Sequence, residues 1–174
     1  MPSSGFVVRR ARPLTDADIS GLADVLKNCV DDGASVSFMQ PFSRARAVEF
    51  FTDVAHGVAN GDRALLIAED PTGVIGTVQL VLAQPDNQPH RADVSKMLVH
   101  TRARNRGVGA ALMQAAEAMA RNLGRTLLVL DTASASAERL YERAGWIRVG
   151  VVPGFALLPH GGLCDTVFYY RQLD

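Results

Sequence analysis

One stretch constrains the fold of this chain more than any other. Between Arg91 and Thr132 the sequence reads as strand, basic glycine turn, helix and strand. Ala92 to Val99 leads into Arg104-Asn105-Arg106-Gly107-Val108-Gly109, and an amphipathic helix then carries Val108, Leu112, Ala115, Ala116, Met119 and Leu123 on one face. Gly124 supplies its stop. Leu127 to Leu130 is apolar at every position, as expected of a strand covered on both faces, and it ends on Asp131. A strand–helix–strand of this length implies a right-handed parallel crossover. The expected fold is therefore α/β, with a parallel pair at its centre.

The turn inside that unit suits an anion. Two glycines at a helix start let the backbone approach a ligand without obstruction from a Cβ. The helix N-terminus offers unpaired N–H groups and the positive end of a dipole, and Arg102, Arg104 and Arg106 add full charges. A P-loop would carry Lys-Ser/Thr after its second glycine, and this turn has neither. A dinucleotide fingerprint would need glycine or alanine where Leu112 stands. Two readings remain: a pyrophosphate seat of another kind, or plain turn chemistry.

Composition narrows the class. The 174 residues suffice for one domain, read as 1–174, with a core of its own. Apolar content of 48% against 21% charged belongs to a globular chain. Lys plus Arg equals Asp plus Glu at 18 each, so no global field favours nucleic acid or a membrane surface. No signal-like or membrane-length apolar run occurs, and a cytoplasmic protein is expected. Cys29 and Cys164 are too few and too far apart for a disulfide framework. The four histidines have no pair at metal-ligand spacing, so no metal is expected.

Around the central unit the other elements follow from periodicity. Phe6 to Ala11 reads as a first strand. Thr15 and Asp18 form a capping box for a helix running to about Asn28 or Val30. Gly33-Ala34-Ser35-Val36-Ser37-Phe38-Met39 is apolar for a loop, either a buried connector or a substrate-facing wall. Ser43 caps a second helix that Asn60-Gly61 stops. Ala64–Ala68 and Val74–Leu82 form a hairpin across Asp70-Pro71-Thr72-Gly73. After Asp131, Ser134 or Ser136 caps a short helix ending at Gly145. A strand over Trp146–Val152, a loop over Pro153–Gly162 and a last strand over Thr166–Leu173 complete the chain.

Three side chains can carry proton chemistry. Asp131 ends a parallel strand, where open α/β sheets bind ligands, and Asp93 lies on the adjacent strand. Together they can attract a protonated amine and accept its proton; equally, Asp131 can cap the next turn and Asp93 can pair with Arg91. Tyr141 offers a phenol donor, or is a core tyrosine beside Leu140 and Ala144. In the central strand, strict alternation would bury Lys96 with Val94 and Leu98, which a bulge near Lys96 would relieve.

Arg-x-x-Gly-x-Gly after Met97-Leu98-Val99 resembles the acyl-CoA loop of the GCN5-related N-acetyltransferase (GNAT) family. Ala137-Glu138-Arg139-Leu140-Tyr141 through Gly145-Trp146 resembles that family's closing-helix signature. The resemblance implies a GNAT-like mixed central sheet of about seven strands with about four helices, and acetyl-CoA as acetyl donor. It assigns cofactor contacts to Met97, Leu98, Val99, Arg104, Asn105, Arg106, Gly107, Val108, Gly109 and Ala110. Backbone N–H groups of Leu98 and Val99 would hold the thioester carbonyl on a bulged strand. Ser134 stands where the pattern carries asparagine, and either replaces that contact or only caps the helix. Catalysis falls to Asp93, Asp131 and Tyr141. From about Asp31 to Leu173 the chain is most similar to the subgroup that confers resistance to tabtoxin. Those members acetylate a small amino-acid-like β-lactam and carry glutamate where Asp93 stands. A small-molecule amine as substrate and a homodimer follow from that resemblance. Acetylation of proteins or peptides, and a non-catalytic acyl-CoA sensor, are the alternatives.

Overall fold

The computed structural model describes residues 5–174. Its strands are β1 (Val7–Arg10), β2 (Arg63–Asp70), β3 (Gly73–Leu82), β4 (Arg91–Val99), β5 (Leu127–Thr132), β6 (Ile147–Leu157) and β7 (Leu163–Gln172). They form one mixed sheet in the order β1-β2-β3-β4-β5-β7-β6. The only parallel neighbours are β4 and β5, joined by α3 (Val108–Asn122). Helices α1 (Asp16–Asp31) and α2 (Arg44–Asn60) cover one face, packing Leu22, Leu26, Phe51 and Val54 on Leu65 and Ile67. On the other face lie α3 and α4 (Ala135–Arg143), whose Leu112, Met113 and Tyr141 join Leu66, Leu128 and Trp146. The expected α/β class, the seven strands, the four helices and the central parallel pair are all present.

Local chemistry explains the element ends. The capping box at Thr15 forms both of its bonds, and Ser43 and Ser134 cap α2 and α4 through their hydroxyls. Gly61 takes the left-handed conformation that ends α2. Asp70 accepts from Thr72 N at 2.9 Å and so folds the β2–β3 turn.

Three expectations need correction. The first half of the loop expected over Pro153–Gly162 is strand, because β6 continues to Leu157 through a register break between Val152 and Ala156. An edge strand tolerates Pro153, whose missing N–H costs no ladder bond, and Asp165 receives Gly154 N at 2.9 Å. The last strand begins at Leu163 and lies between β5 and β6, so β6 and not the last strand is the sheet edge at that side. Finally, β5 is covered less fully than its apolar run implies: Leu128 and Leu130 are buried, whereas Leu127 and Val129 are only partly so.

Two irregularities in β4 shape the centre of the molecule. Its pairing with β5 stops at Asp93–Val129, and beyond that point the two strands part. On its other side Thr77 faces Leu98 and Gln79 faces Ser95, so Lys96 and Met97 together oppose Val78. This is a bulge, with Lys96 at φ +50°. The extra residue reverses the phase of the strand. Val94 packs toward α3, while Leu98 packs among α1 and α2. Lys96 stays partly buried after the break, against Ser37 and the Phe50 ring.

Candidate active site

Beside the cleft opened between β4 and β5, α3 packs over β2, β3 and β4. This helix begins at Gly107, φ +81°, after Asn105 at φ +60°. No side chain of the described residues caps it, unlike α1, α2 and α4, which leaves the N–H groups of its first turn without a side-chain partner among them. No atom of the described residues lies within 4 Å of where a Gly107 Cβ would stand. A Cβ on Gly109 would meet Leu140 Cδ2 at 3.2 Å and Met97 Cε at 3.4 Å, so this glycine lets α3, α4 and β4 converge. Val108 is buried beneath the turn, and Ala110 follows in the first helical turn. Arg104 reaches Asp32 at 2.6 Å; Arg106 and Arg102 reach Asp70 at 3.0 and 3.1 Å. The hydroxyl and N–H of Thr72, with the guanidinium groups of Arg106 and Arg102, hold the Asp70 carboxyl well below the ordinary range. The turn is thus an uncapped, argininium-ringed helix start with room above its glycine. Those features fit a pyrophosphate.

Backbone donors follow from the ladder. His100 N donates to Ile75 O at 2.9 Å, which makes His100–Ile75 a hydrogen-bonded pair. Antiparallel alternation then turns the N–H and C=O of Val99 away from β3, and Leu98 toward it. On its outer side Val99 has lost β5. Its carbonyl takes a 3.5 Å contact from Cys29 Sγ. Burial pushes the Cys29 thiol up to about 11, so it is no thiolate at neutral pH.

The carboxylates and the phenol are distributed unevenly. Asp131 stands at the open end of β5, and its Oδ2 accepts from Thr166 Oγ1 at 2.7 Å. Tyr141 is 4% exposed, with its ring 5.9 Å from those of both Trp146 and Tyr169. Burial, aided by the Asp131 charge, pushes its phenol up to about 12. The Tyr141 hydroxyl makes no hydrogen bond to any described residue. Asp93 is the last residue paired with β5, two positions short of Asp131, and Arg91 Nη1 binds it at 2.6 Å. Asp131 and Tyr141 therefore share the cleft, and Asp93 flanks it in an ion pair. Ser134 Oγ accepts from Ala137 N at 3.3 Å as the α4 cap.

Several residues of the cleft escaped sequence reasoning. Lys96 Nζ donates to Ser37 Oγ at 3.1 Å and sits 5.8 Å from the Phe50 ring centroid. Burial lowers its pKa, against the pull of Asp131. Phe38 packs on Phe50 and Phe42, and Cys164 Sγ meets Ser35 Oγ at 3.6 Å. The Gly33–Met39 loop is in part the buried connector: Val36 and Phe38 are packed, while Ser37 bonds to Lys96 of β4 and Ser35 meets Cys164 of β7. A lysine inside an apolar strand was the available signal. Ser37, Phe50 and Thr166 carry no motif.

Known proteins bear on this geometry. Residues 61–148 match the profile of the acetyltransferase (GNAT) domain. The fold is similar to that of a phosphinothricin acetyltransferase from Sinorhizobium meliloti solved in complex with acetyl-CoA. That comparison gives a TM-score of 0.82 at 22% identity, covering 97% of this chain and 89% of that one. It is also similar to an N-acetyltransferase from Staphylococcus aureus Mu50 (TM-score 0.81, 16% identity, 97% and 99% covered). A third likeness is to the ribosomal-protein-alanine N-acetyltransferase of Brucella melitensis (TM-score 0.80, 19% identity, 96% and 99% covered). The profile match spans half of the chain and includes the bulged strand, the glycine turn, α3 and α4. The chain belongs to the GNAT acetyltransferase family, whose acetyl donor is acetyl-CoA.

Proposed function

We propose that this protein transfers the acetyl group of acetyl-CoA to the amine of a small molecule, by direct attack. The observation that carries the reading is Asp131. It is an unpaired carboxylate at the parting of β4 and β5, on the same cleft as Tyr141 and an outward-turned Val99 N–H. Bound acetyl-CoA supplies an activated thioester. Arg104, Asn105 and Arg106, with the N–H groups of Gly107, Val108, Gly109 and Ala110, hold its phosphates. Met97, Leu98 and Val99 line its pantetheine arm as a substitute strand.

Asp131 attracts the ammonium and takes its proton. Asp93, its charge already offset by Arg91, assists through water. Val99 N–H stabilises the carbonyl oxygen as negative charge gathers there. Tyr141 protonates the departing sulfur, for which a neutral buried phenol is suited. Ser134 serves chiefly as the α4 cap and so fixes the helix that carries Tyr141.

The partly packed Gly33–Met39 loop supports a pocket for a small acceptor over an open peptide groove. The likeness to the tabtoxin-resistance subgroup, and the phosphinothricin acetyltransferase among the similar folds, favour a toxin or antibiotic as that acceptor. The apolar β6 edge supports a homodimer. A requirement for acetyl-CoA, a cytoplasmic metabolite, favours action in the cytoplasm. The test is acetyl-CoA-dependent thiol release over small amines, amino-acid analogues and lysine peptides, beside a calorimetric titration of acetyl-CoA. Turnover on small amines, with peptides slower, is expected. Tight binding without turnover on any amine would replace the enzyme by a sensor.

A further inference from the structure

Two opposite charges share the acceptor side of the cleft without pairing. Lys96 forms no ion pair with any described residue; its Nζ is tied to the Ser37 hydroxyl at 3.1 Å. Asp131 forms none either, and is tied to the Thr166 hydroxyl at 2.7 Å. Lys96 senses Asp131, whose charge opposes the effect of burial on the lysine. A hydroxyl tether orients a charge and does not neutralise it. The cleft therefore holds a cation and an anion apart, each with its charge unspent.

The end near Lys96 is short of acceptors. Arg63 lies close enough for its charge to act on Lys96, and its Nη1 is bonded at 3.0 Å to the neutral Gln79. Gln79 is fully buried, and its Nε2 finds no partner. Neither cation has a carboxylate in contact, so this end favours an incoming oxyanion. The backbone adds an independent sign. Among the described residues the non-glycine residues with positive φ are Ser37 (+81°), Lys96 (+50°) and Asn105 (+60°). Two of the three are bonded to each other across this cleft, and such residues gather at ligand clamps. Moreover Lys27 and Lys96 are the only lysines of the chain, every other cationic side chain being arginine. A compact ammonium meets an oxyanion of any shape, without the planar fork that arginine imposes.

We propose that Lys96 is a specificity residue that binds an oxyanion of the acceptor. The acceptor is then a small zwitterion, with its amine toward Asp131 and a carboxylate or similar oxyanion toward Lys96. Phe50, with Phe38 packed on it, walls one side of the space beside Lys96. The inference rests on the acetyl-transfer reading of the same cleft.

The two lysines make a clean test. Protein labelled with 13C at lysine Cε gives two side-chain signals, and Lys27, paired with Asp31 at 2.7 Å on α1, is the internal reference. It is titrated with the common amino acids and with their carboxamides, acetyl-CoA being replaced by CoA. The Lys96 signal shifts saturably with at least one amino acid, while the matched carboxamide binds about tenfold more weakly or worse, as expected for losing a charged contact. In thiol-release assays Lys96→Met raises KM for that amino acid about tenfold more than KM for its carboxamide, and Lys96→Arg recovers part of the difference. A Lys96 signal unmoved by every amino acid overturns the proposal. So does an equal loss on acid and amide, which is what a merely structural lysine would give. Failure of acetyl-CoA to bind in calorimetry would strike the underlying reading. Turnover that treats acid and amide alike in the wild type would leave that reading intact and remove this one.

Discussion

Tyr141 packs in the core and is the proton donor proposed above, and the two roles can be separated. Its ring packs on Trp146 and Tyr169, whereas its hydroxyl bonds to no described residue. Tyr141→Phe keeps the packing and removes only the proton donor. Turnover is expected to fall about a hundredfold, the scale of one general acid, with thermal stability near pH 7 unchanged. The pH dependence supplies a sign. The folded phenol ionises near 12, but the unfolded one ionises near its ordinary value of 10. The unfolded state therefore loses its proton first, and stability falls as pH rises through that window. Denaturation between pH 10 and 12 should steepen this fall in the wild type relative to Tyr141→Phe, which also cancels the common contribution of Tyr169. Asp131→Asn keeps an acceptor for Thr166 Oγ1 and loses the base. Its kcat/KM should drop about a hundredfold with the melting temperature held; a change within twofold would remove Asp131 from the chemistry. At this scale the sequence was legible where spacing carries meaning, as in the glycine turn and in the Leu140-Tyr141 to Gly145 run. Ser37 and Phe50 reach Lys96, and Thr166 reaches Asp131, only after separate elements have packed.

Among the elements, β4 does most to make the site, and its irregularity was only half visible. Alternation predicted that something must break near Lys96, because Val94, Lys96 and Leu98 cannot all face one core. What alternation could not supply was the direction of Lys96 after the break, since a left-handed φ re-aims the side chain independently of phase. The extent of β6 was hidden for a related reason. Pro153 and Gly154 signal a loop in most contexts, but an edge strand needs only one ladder. Two glycines let the elements be tested separately. Gly76 pairs with Val99, and a Cβ there would stand 2.9 Å from Leu98 O, a backbone atom that cannot yield alone. Gly107 has open space but a φ of +81°. Gly76→Ala should therefore cost about 2–3 kcal/mol through a forced shift of the β3–β4 ladder, and raise KM for acetyl-CoA by moving Val99. Gly107→Ala should cost only about 1–2 kcal/mol, from the left-handed backbone. Urea titrations of the two variants check the order; a cheaper Gly76→Ala would mean that β4 is more pliant than its bulge suggests.

At the scale of the whole molecule the apolar surface is concentrated on one edge. Every strongly exposed large hydrophobic residue among the described ones, except Val7 and Met39, lies between Ile147 and Leu163, and Leu163 is 71% exposed. Edge strands are ordinarily protected by charge, by shortness or by cover. β6 has eleven residues, and from Val149 to Leu158 it carries no charged side chain. Arg148 near its start, Pro153 and two register breaks are its only protection. Such an edge left bare in water would recruit any other strand, and the strand always present at equal concentration is its own copy. Antiparallel pairing about a twofold axis would close the contact on itself, which limits association to a dimer instead of a fibre. The same strand neighbours β7, which carries Thr166 to Asp131, so the dimer would stiffen the acceptor side of each cleft. Sedimentation equilibrium should give twice the mass of the chain. Val149→Lys with Val151→Lys, both at exposed positions of the edge, should give the monomer with each chain still folded. Turnover per chain should then fall through a weaker grip on the acceptor, read as a higher KM at constant affinity for acetyl-CoA. A wild-type monomer across micromolar concentrations would mean that this edge serves a different protein, and a double variant that remains dimeric would move the interface off β6.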